Sequence, residues 1–300
     1  MASPSKRTIL ITGCSDGSLG IYLSLAFRDA GWRVFASARN LSKTKTAKEA
    51  GLEAIQLDTL KQESIDAAVA EVSKLTGGSL DMLLNNAGAG YGMPIMDIDW
   101  DKTKDLFELN FFSLITITKA FLPLLRNSQT VHGGVRGGIV VNNTSGSSLW
   151  VAALPWAGAY NASKAAATSL TENMRLELAP FGIKVVNLIT GGVKSKFHDN
   201  ITKTEIPPES IYAFAKERIE RQISGVDMND EKGDPEEYAR AVARKLSKSD
   251  PPHWVWAGKS STLVWLATFL PVGFMDGVIR KMTGLDDVEK KLKEMEKKKD

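Results

Sequence analysis

T-I-L-I-T-G-C-S-D-G-S-L-G, residues 8–20, is the stretch of this sequence that decides its fold. Its first five residues form a β-branched, apolar run typical of a strand buried on both faces of a parallel sheet, and residues 21–29 continue as a helix. Glycines at such a junction allow a tight turn and bring backbone N–H groups close to a pyrophosphate at the positive end of the helix dipole. The spacing of Gly13, Gly17 and Gly20 therefore predicts a nucleotide site, with a glycine-capped loop as the alternative.

Strands and helices alternate beyond this stretch. Apolar runs predict further strands at 32–38, 53–57, 80–84, 139–141, 184–189 and 253–256, and amphipathic runs predict helices at 60–75, 100–122 and 236–246. This alternation predicts an α/β fold, a doubly wound parallel Rossmann sheet of about seven strands with helices on both faces. We expect a single catalytic domain at 1–258 and a C-terminal extension at 259–300, with a glycine-rich surface loop at 127–138.

Composition narrows the class of function. Lys and Arg number 38 and Asp and Glu number 35, so the net charge of +3 is too small to indicate a nucleic-acid partner. The single cysteine, Cys14, excludes an internal disulfide, and with three scattered histidines no metal site is expected. The first strand follows the N-terminus without an apolar signal-peptide core, so we expect a cytoplasmic protein.

Three features predict how a cofactor would be bound. Arg39 follows the second strand where an acidic residue would hold the ribose of NAD, so a 2′-phosphate and hence NADPH is favoured over a solvated loop residue. Asp58 ends the third strand, placed to meet an adenine ring or to cap the next helix. The segment N-N-A-G at 85–88 follows the fourth strand, where small residues suit either close passage beside a cofactor or a turn.

Tyr160 and Lys164 are candidate catalytic residues because their spacing places them on one helix face, one turn apart. An ammonium beside a phenol would lower the tyrosine pKa, although both side chains of an amphipathic helix would equally well face water. Asn110 lies in an apolar helix, either as a satisfied core amide or as part of a site. The polar segment 142–148 follows the fifth strand at the sheet edge where ligands bind.

The order of these motifs, T-G-x-x-x-G-x-x-G, N-N-A-G, a helical Asn, a serine-rich strand end and Y-x-x-x-K, resembles the short-chain dehydrogenase/reductase family over residues 8 to about 195. The resemblance implies that nicotinamide hydride reduces a carbonyl, Tyr160 delivers the proton, Lys164 lowers the tyrosine pKa and holds ribose hydroxyls, and Asn110 anchors a water. A serine orients the carbonyl. The strand ending favours Ser145, and the family's usual distance to the tyrosine favours Ser147, our second choice.

The family positions that match a cofactor site are carried over onto this sequence, with NADPH as the cofactor. They are Gly13, Ser15, Gly17, Leu19, Gly20, Arg39, Asp58, Asn86, Ala87, Gly88, Tyr160, Lys164, Val193 and Ser195. The glycine loop is one residue longer than the commonest form, and Ser18 stands where a fungal subgroup often has glycine.

Segment 187–193, the prolines at 251–252 and the apolar C-terminal extension resemble a fungal subgroup, the 1-acyldihydroxyacetone-phosphate reductases, in which Thr190 likewise replaces the family's usual proline. The resemblance implies NADPH-dependent reduction of a small-molecule ketone to a secondary alcohol by a homo-oligomer. Ketoreductases of fungal secondary-metabolite pathways share the same features and are the alternative. A dinucleotide-binding scaffold without catalysis is a remoter alternative, since the tetrad is intact.

The remaining segments concern the substrate and the surroundings of the protein. The polar stretch at about 196–228 is expected to be the substrate lid, and Trp150, Trp156 and Phe197 would either wall an apolar pocket or be plain core. The run 263–270 is apolar, but it is too short to span a bilayer and is followed by Pro271. We therefore expect 260–280 to contact a membrane interface, a lipid droplet or a partner subunit, on the cytosolic face of the endoplasmic reticulum if membrane-bound. Residues 289–299 predict a charged helical tail.

Overall fold

The structure, a computed structural model, describes residues 6–197, 205–225 and 232–298. Its strands are β1 Thr8–Ile11, β2 Arg33–Ala38, β3 Glu53–Gln56, β4 Met82–Asn85, β5 Val131–His132, β6 Val135–Arg136, β7 Ile139–Asn143, β8 Lys184–Thr190 and β9 Trp254–Ala257. Seven of them form a parallel sheet in the order β3-β2-β1-β4-β7-β8-β9, and β5 pairs antiparallel with β6. The predicted sheet is confirmed.

Helices cover both faces of this sheet. They are α1 Leu19–Asp29, α2 Lys45–Glu49, α3 Gln62–Thr76, α4 Trp100–Phe107, α5 Ser113–Arg126, α6 Gly158–Leu178, α7 Lys216–Ile223, α8 Pro235–Leu246, α9 Ser261–Ala267, α10 Asp276–Thr283 and α11 Leu285–Glu296. Side chains alternate along β1, so that Ile9 and Ile11 enter one buried cluster with α1 and α8, while Leu10 enters another with α3 and α5. Both faces of β1 are therefore buried, as its apolar sequence predicts.

The sheet order places a crevice beside β1. The chain runs outward from β1 to β2 and β3, then returns to β4 on the other side of β1 and continues to β9. At such a reversal the loops after neighbouring strands diverge, and the space between them, at the carboxyl ends of the strands, is where open α/β sheets bind ligands.

Two segments differ from expectation. The helix predicted from residue 100 ends at Arg126, soon after Pro123 as expected, but a π-helical turn, Glu108–Phe112, interrupts it. The prediction of a plain loop at 127–138 was wrong for β5 and β6. Gly133 and Gly134 both have positive φ, 58° and 84°, which is the backbone of a type I′ turn and closes a short hairpin.

The C-terminal extension folds back onto the lid side of the domain. The Trp156 indole Nε1 donates a hydrogen bond to the Thr283 carbonyl oxygen at 3.1 Å, and Arg218 of α7 pairs with Asp287 of α11 at 2.8 Å. The predicted helical tail is confirmed as α11. Of the predicted lid, residues 198–204 and 226–228 lie outside the described residues.

One helical stretch, Trp100–Arg126, is long and apolar enough by length and composition to cross a bilayer. It includes α4, the π-helical turn and α5, and 44% of its most apolar window is buried within the protein. Ile117 and Phe121 of this stretch belong to the core under the sheet. One side of this stretch therefore packs against the sheet.

Candidate active site

The glycine loop after β1 has a shape that side chains would prevent. Gly13 and Gly17 have φ of 76° and 79°, in the left-handed region. A Cβ on Gly20 would lie 2.4 Å from the Gly13 carbonyl oxygen, so α1 begins in direct contact with the turn that precedes it. Ser18 caps α1 by accepting the Ile21 N–H at 3.4 Å and donating its hydroxyl to the Gly13 oxygen at 2.8 Å. The loop thus offers a close backbone cradle at a helix N-terminus, which fits a pyrophosphate.

The N-N-A-G segment lines the crevice next to this loop. The Thr12 hydroxyl oxygen accepts the N–H groups of both Asn86 and Ala87 at 2.9 Å, and Asn86 Nδ2 donates to the Thr12 carbonyl oxygen at 2.9 Å. A Cβ on Gly88 would lie 3.1 Å from an Asn110 oxygen and 3.4 Å from Lys164 Nζ. Gly88 therefore lets this segment pass close to Asn110 and Lys164, which is more than a simple turn needs.

The far end of the crevice carries the residues predicted to select the cofactor. Arg39 is exposed at the end of β2, and its guanidinium forms no ion pair within the described part of the chain. Asp58 follows β3 and accepts the Leu60 N–H at 3.1 Å, so it stabilises the turn before α3 while remaining at the sheet edge. Burial raises the pKa of the Cys14 thiol to about 12, so this cysteine is an unreactive core residue.

The segment leaving β8 closes over the glycine loop. The Lys196 N–H donates to the Gly17 carbonyl oxygen at 3.2 Å, which brings Ser195 and Val193 to the same crevice. Val193 is buried and pairs with Gly233, and Ser195 accepts the Phe197 N–H at 3.3 Å. The predicted cofactor positions from the loop, from N-N-A-G and from the end of β8 are thus brought together.

Tyr160 and Lys164 lie one turn apart on α6, facing the crevice. Lys164 is 6% exposed, its Nζ donates to the Asn143 carbonyl oxygen at 2.9 Å, and burial lowers its pKa to about 8. Burial raises the pKa of Tyr160, and a hydrogen bond with Ser145 opposes that rise. The expectation that Lys164 lowers the tyrosine pKa is not met by the protein's own groups, because desolvation of the phenolate dominates.

Ser145 is the serine that contacts the tyrosine. It follows β7, shares the hydrogen bond with Tyr160 and caps a 3₁₀ turn at Gly146–Ser148 by accepting the Ser147 N–H at 3.2 Å. The Ser147 hydroxyl lies 3.0 Å from that of Ser145 and lines the neighbouring cavity. This turn and a second one at Trp150–Ala152 take up chain length between the serines and α6.

Asn110 reaches the site from the π-helical turn. Its Oδ1 accepts the Ala89 N–H at 3.0 Å, and its Nδ2 donates to the Ala89 carbonyl oxygen and the Ser163 hydroxyl, both at 3.0 Å. Ser163 in turn donates to the Tyr160 carbonyl oxygen at 2.8 Å. The amide is satisfied and also part of the site, because it fastens the N-N-A-G segment to α6. Single π-helical turns inside α-helices are frequent at functional sites.

A cavity of about 120 Å³ lies beside Tyr160. Its lining is mainly apolar and includes Gly90, Tyr91, Gly92, Ser147, Leu154, Pro155, Trp156, Ala157, Tyr160, Asn161, Phe197, Gln222 and Ile223. Trp156 and Phe197 therefore wall it as predicted, whereas Trp150 is 45% exposed and does not line it. A larger polar hollow of about 430 Å³, around Arg126 and Arg136, lies at the opposite edge of the sheet, away from Tyr160.

Sequence reasoning assigned no role to Asn143, Thr12, Tyr91 or Gln222. Asn143 presents the carbonyl that receives Lys164, and Tyr91 and Gln222 line the cavity. The signal for Asn143 is the second Asn of N-N-T-S, a polar residue at the end of an otherwise apolar strand. No local pattern identifies Gln222, which reaches the cavity from α7.

Comparison with known proteins agrees with this geometry. The family described as short chain dehydrogenase matches residues 7–206. A short-chain dehydrogenase/reductase of Pestalotiopsis microspora is 38% identical over 96% of this chain and 98% of its own. The NADPH-dependent 1-acyldihydroxyacetone phosphate reductase of Schizosaccharomyces pombe is 33% identical, over 94% of this chain and 95% of its own.

Solved structures show the same fold. A short-chain dehydrogenase from Streptomyces avermitilis superposes with a TM-score of 0.71 at 28% identity, covering 96% of this chain and 98% of that one. The matched region contains the glycine loop, the serine segment and the Tyr160 helix. The chain belongs to the short-chain dehydrogenase/reductase family of oxidoreductases.

Proposed function

We propose that this protein is an NADPH-dependent reductase that converts a ketone to a secondary alcohol, acting as a 1-acyldihydroxyacetone-phosphate reductase does. The observation that carries the proposal is the convergence of Tyr160, Ser145 and Lys164 beside an apolar cavity at the carboxyl edge of the sheet. A bound NADPH would supply the hydride that forms the new C–H bond at the carbonyl carbon. The glycine cradle, in which a Cβ on Gly20 would meet backbone, fits its pyrophosphate.

In this mechanism Tyr160 donates the proton to the carbonyl oxygen of the ketone. Its raised pKa keeps the phenol protonated near neutral pH, as a group that must donate to the carbonyl oxygen requires. Ser145, in hydrogen-bond contact with Tyr160, orients that oxygen from the β7 side. Lys164, with a pKa of about 8, still carries most of its charge at pH 7 and favours the phenolate left after proton transfer. Asn110 holds the Gly88 segment against α6.

Arg39 sets the preference for NADPH over NADH. Its guanidinium is exposed at the end of β2 and has no acidic partner among the described residues, so it is available to a 2′-phosphate. Replacing it in Arg39→Ala should weaken NADPH binding while leaving NADH binding unchanged. Equal loss for both cofactors would contradict the assignment.

The ketone is one with a substantial apolar part, because the cavity is walled by Trp156, Phe197 and Ile223. The similarity to the fission yeast reductase supports an acyl ketone. The aromatic walls equally favour the second candidate, a polyketide-type ketone of a fungal secondary-metabolite pathway. NADPH oxidation with purified protein and each ketone class decides between them.

The catalytic assignment is tested by Tyr160→Phe. We expect the variant to bind NADPH normally and to lose about 10²–10⁴-fold in kcat, the range of a general acid. Tyr212→Phe is the matched control, since Tyr212 packs against Trp156 in the same cluster with its ring 5.5 Å away and carries no proposed role. Turnover of Tyr160→Phe within tenfold of the unsubstituted protein would refute the mechanism.

We also propose that the C-terminal extension attaches the enzyme to a lipid surface, either the cytosolic face of the endoplasmic reticulum or a lipid droplet. In support, Leu266, Phe269, Val272 and Phe274 are all more than half exposed, and residues 260–275 carry no charge. Sedimentation with phosphatidylcholine and phosphatidylserine vesicles tests this. Phe269→Ser with Val272→Ser should abolish binding, and Leu176→Ser, an exposed leucine on α6, should not.

We propose in addition that the protein forms a homo-oligomer, and light scattering after size-exclusion chromatography tests this. If the double variant changes the oligomeric state and not vesicle binding, the apolar surface is a subunit contact and the lipid assignment fails.

A further inference from the structure

A row of side-chain hydrogen bonds crosses the carboxyl ends of four adjacent strands. Tyr238 of α8 lies 2.7 Å from the Thr190 hydroxyl, and the Thr190 hydroxyl donates to Asn143 Oδ1 at 2.5 Å. Asn143 Nδ2 donates to Asn86 Oδ1 at 2.9 Å, and Asn86 Nδ2 donates to the Thr12 carbonyl oxygen at 2.9 Å. The row thus passes from β8 to β7, β4 and β1, which are neighbours in that order in the sheet.

The hydrogen bonds of this row all run in one direction. Asn143 Oδ1 only accepts, so the single hydrogen of Thr190 is committed to it, and Tyr238 must donate to Thr190. Burial raises the pKa of Tyr238, which keeps that hydroxyl protonated and able to donate. Hydrogen bonds aligned head to tail polarise one another, and in a buried site such a row fixes its members more firmly than separate pairs. Tyr238 is 3% exposed and Asn143 is 9% exposed.

Asn143 joins the row to the catalytic lysine. Its side chain is held on both sides, by Thr190 and by Asn86, while its main-chain carbonyl oxygen accepts Lys164 Nζ at 2.9 Å. The peptide of that carbonyl is also held from its other side, because the Thr144 N–H donates to the Leu188 carbonyl oxygen at 2.9 Å. The row adds a second restraint, so the acceptor of the buried Lys164 ammonium is held partly by Thr190 and Tyr238, neither of which touches the lysine.

We propose that Asn143, Thr190 and Tyr238 are positioning residues that hold the Lys164 ammonium, and with it the nicotinamide half of the cofactor site, in its working orientation. The inference rests on the proposed function in taking Lys164 as part of that site. Losing the Thr190 hydroxyl removes the hydrogen bonds that it makes with Asn143 Oδ1 and with the Tyr238 hydroxyl. The Asn143 side chain then loses one of its two anchors, and the carbonyl that receives Lys164 is held less firmly.

The test compares variants of the full chain that each remove one link. Thr190→Val and Tyr238→Phe break the row, and Thr190→Ser restores its hydroxyl. Thr171→Val is the matched control, because the Thr171 hydroxyl is buried and accepts from Asn142, the neighbour of Asn143 on β7, at 3.0 Å, outside the row. All four are compared with the unsubstituted protein in thermal unfolding, NADPH binding and ketone reduction.

NADPH affinity as a function of pH, read from nucleotide fluorescence, needs no turnover. The affinity should fall as Lys164 loses its proton around its pKa of about 8. An ammonium whose acceptor is held less firmly is less stable, so in Thr190→Val and Tyr238→Phe this fall should move to lower pH. In both variants kcat should fall about tenfold or more, because misplaced groups cost this much. Thr190→Ser should return both to normal.

One outcome would overturn the inference. In it, Thr190→Val and Tyr238→Phe lose as much thermal stability as Thr171→Val does, while their NADPH binding and kcat stay unchanged. Should Thr190→Val not fold, Tyr238→Phe, which removes only an oxygen atom, decides alone. If the unsubstituted protein binds NADPH but reduces no ketone, the proposed function fails while the binding comparison still decides the inference.

Discussion

Gly20→Ala is the substitution for which the structure gives the sharpest expectation. The new Cβ would lie 2.4 Å from the Gly13 carbonyl oxygen, where ordinary contacts begin at 3.4 Å, so one group must retreat by 3.4 − 2.4 = 1.0 Å. Both groups belong to backbone, and the Gly13 oxygen is also held by the Ser18 hydroxyl at 2.8 Å, so no side-chain rotation relieves the contact. The glycine loop must therefore move relative to α1.

A displacement of this size has two measurable consequences. Overpacking of a tight site costs about 1–3 kcal/mol of unfolding free energy, and a misplacement of about 1 Å costs about 100-fold in catalytic efficiency. We expect Gly20→Ala to unfold several degrees lower and to lose about 100-fold in kcat/KM, with weaker NADPH binding in a fluorescence titration. Gly277→Ala is the control, because a Cβ there meets nothing within 4 Å and alanine favours the α10 helix. NADPH binding by Gly20→Ala within threefold of normal at an unchanged melting temperature would refute the reasoning.

Three further outcomes are expected. Lys164→Met should inactivate the enzyme yet raise its free energy of unfolding at pH 7. The folded-state pKa of Lys164 is about 8 against an ordinary 10.5, so its buried charge costs about 3 kcal/mol of stability below pH 8. This cost is relieved as the pH rises from 8 to 10.5, so the stabilities of the two proteins should converge there. Ser145→Ala should lower kcat about 10²–10³-fold and Ser147→Ala less than tenfold, and the opposite ranking in steady-state assays would make Ser147 the orienting serine. Deleting residues 285–300 removes the Asp287 partner of Arg218 and the α11 side chains that pack behind Trp156, so it should raise the ketone KM several-fold while NADPH binding stays constant. An unaltered KM would show that α11 does not support the cavity wall.

Local sequence patterns were sufficient to predict the sheet and to predict which residues would lie near one another at its carboxyl edge. β1 could be predicted because its residues are apolar on both faces, and Tyr160 and Lys164 could be predicted because one helical turn relates them. The features that the sequence patterns did not predict depend on contacts between residues that are far apart in the chain. The cavity wall needs Trp156 to meet Thr283, 127 positions later, and Lys164 needs the carbonyl of Asn143 from a different element.

The pKa of Tyr160 is a second property that could not be predicted from local sequence. Spacing alone suggested a lowered value, because it counts the neighbouring charge and not the loss of water. Phe197 packs with its ring 5.6 Å from that of Tyr160, and burial then outweighs every favourable contact the protein makes to the phenolate. Burial is a property of the assembled fold, so no motif could have supplied it.

Asn143, Thr190 and Tyr238 are best understood as a set that must change together. The resemblance implies that most of the wider family carries proline where Thr190 stands. Proline has no hydroxyl, so Thr190→Pro would remove the hydrogen bonds that Thr190 makes with the Asn143 oxygen and with the buried Tyr238 hydroxyl, each at a cost of about 1–3 kcal/mol. An apolar residue at 143 and phenylalanine at 238 would remove those two polar groups, at the loss of the Asn143 donor to Asn86 Oδ1. Thr190→Pro should therefore be tolerated far better together with Asn143→Val and Tyr238→Phe than alone, and equal loss of stability in the single and triple variants would show that the three side chains are independent.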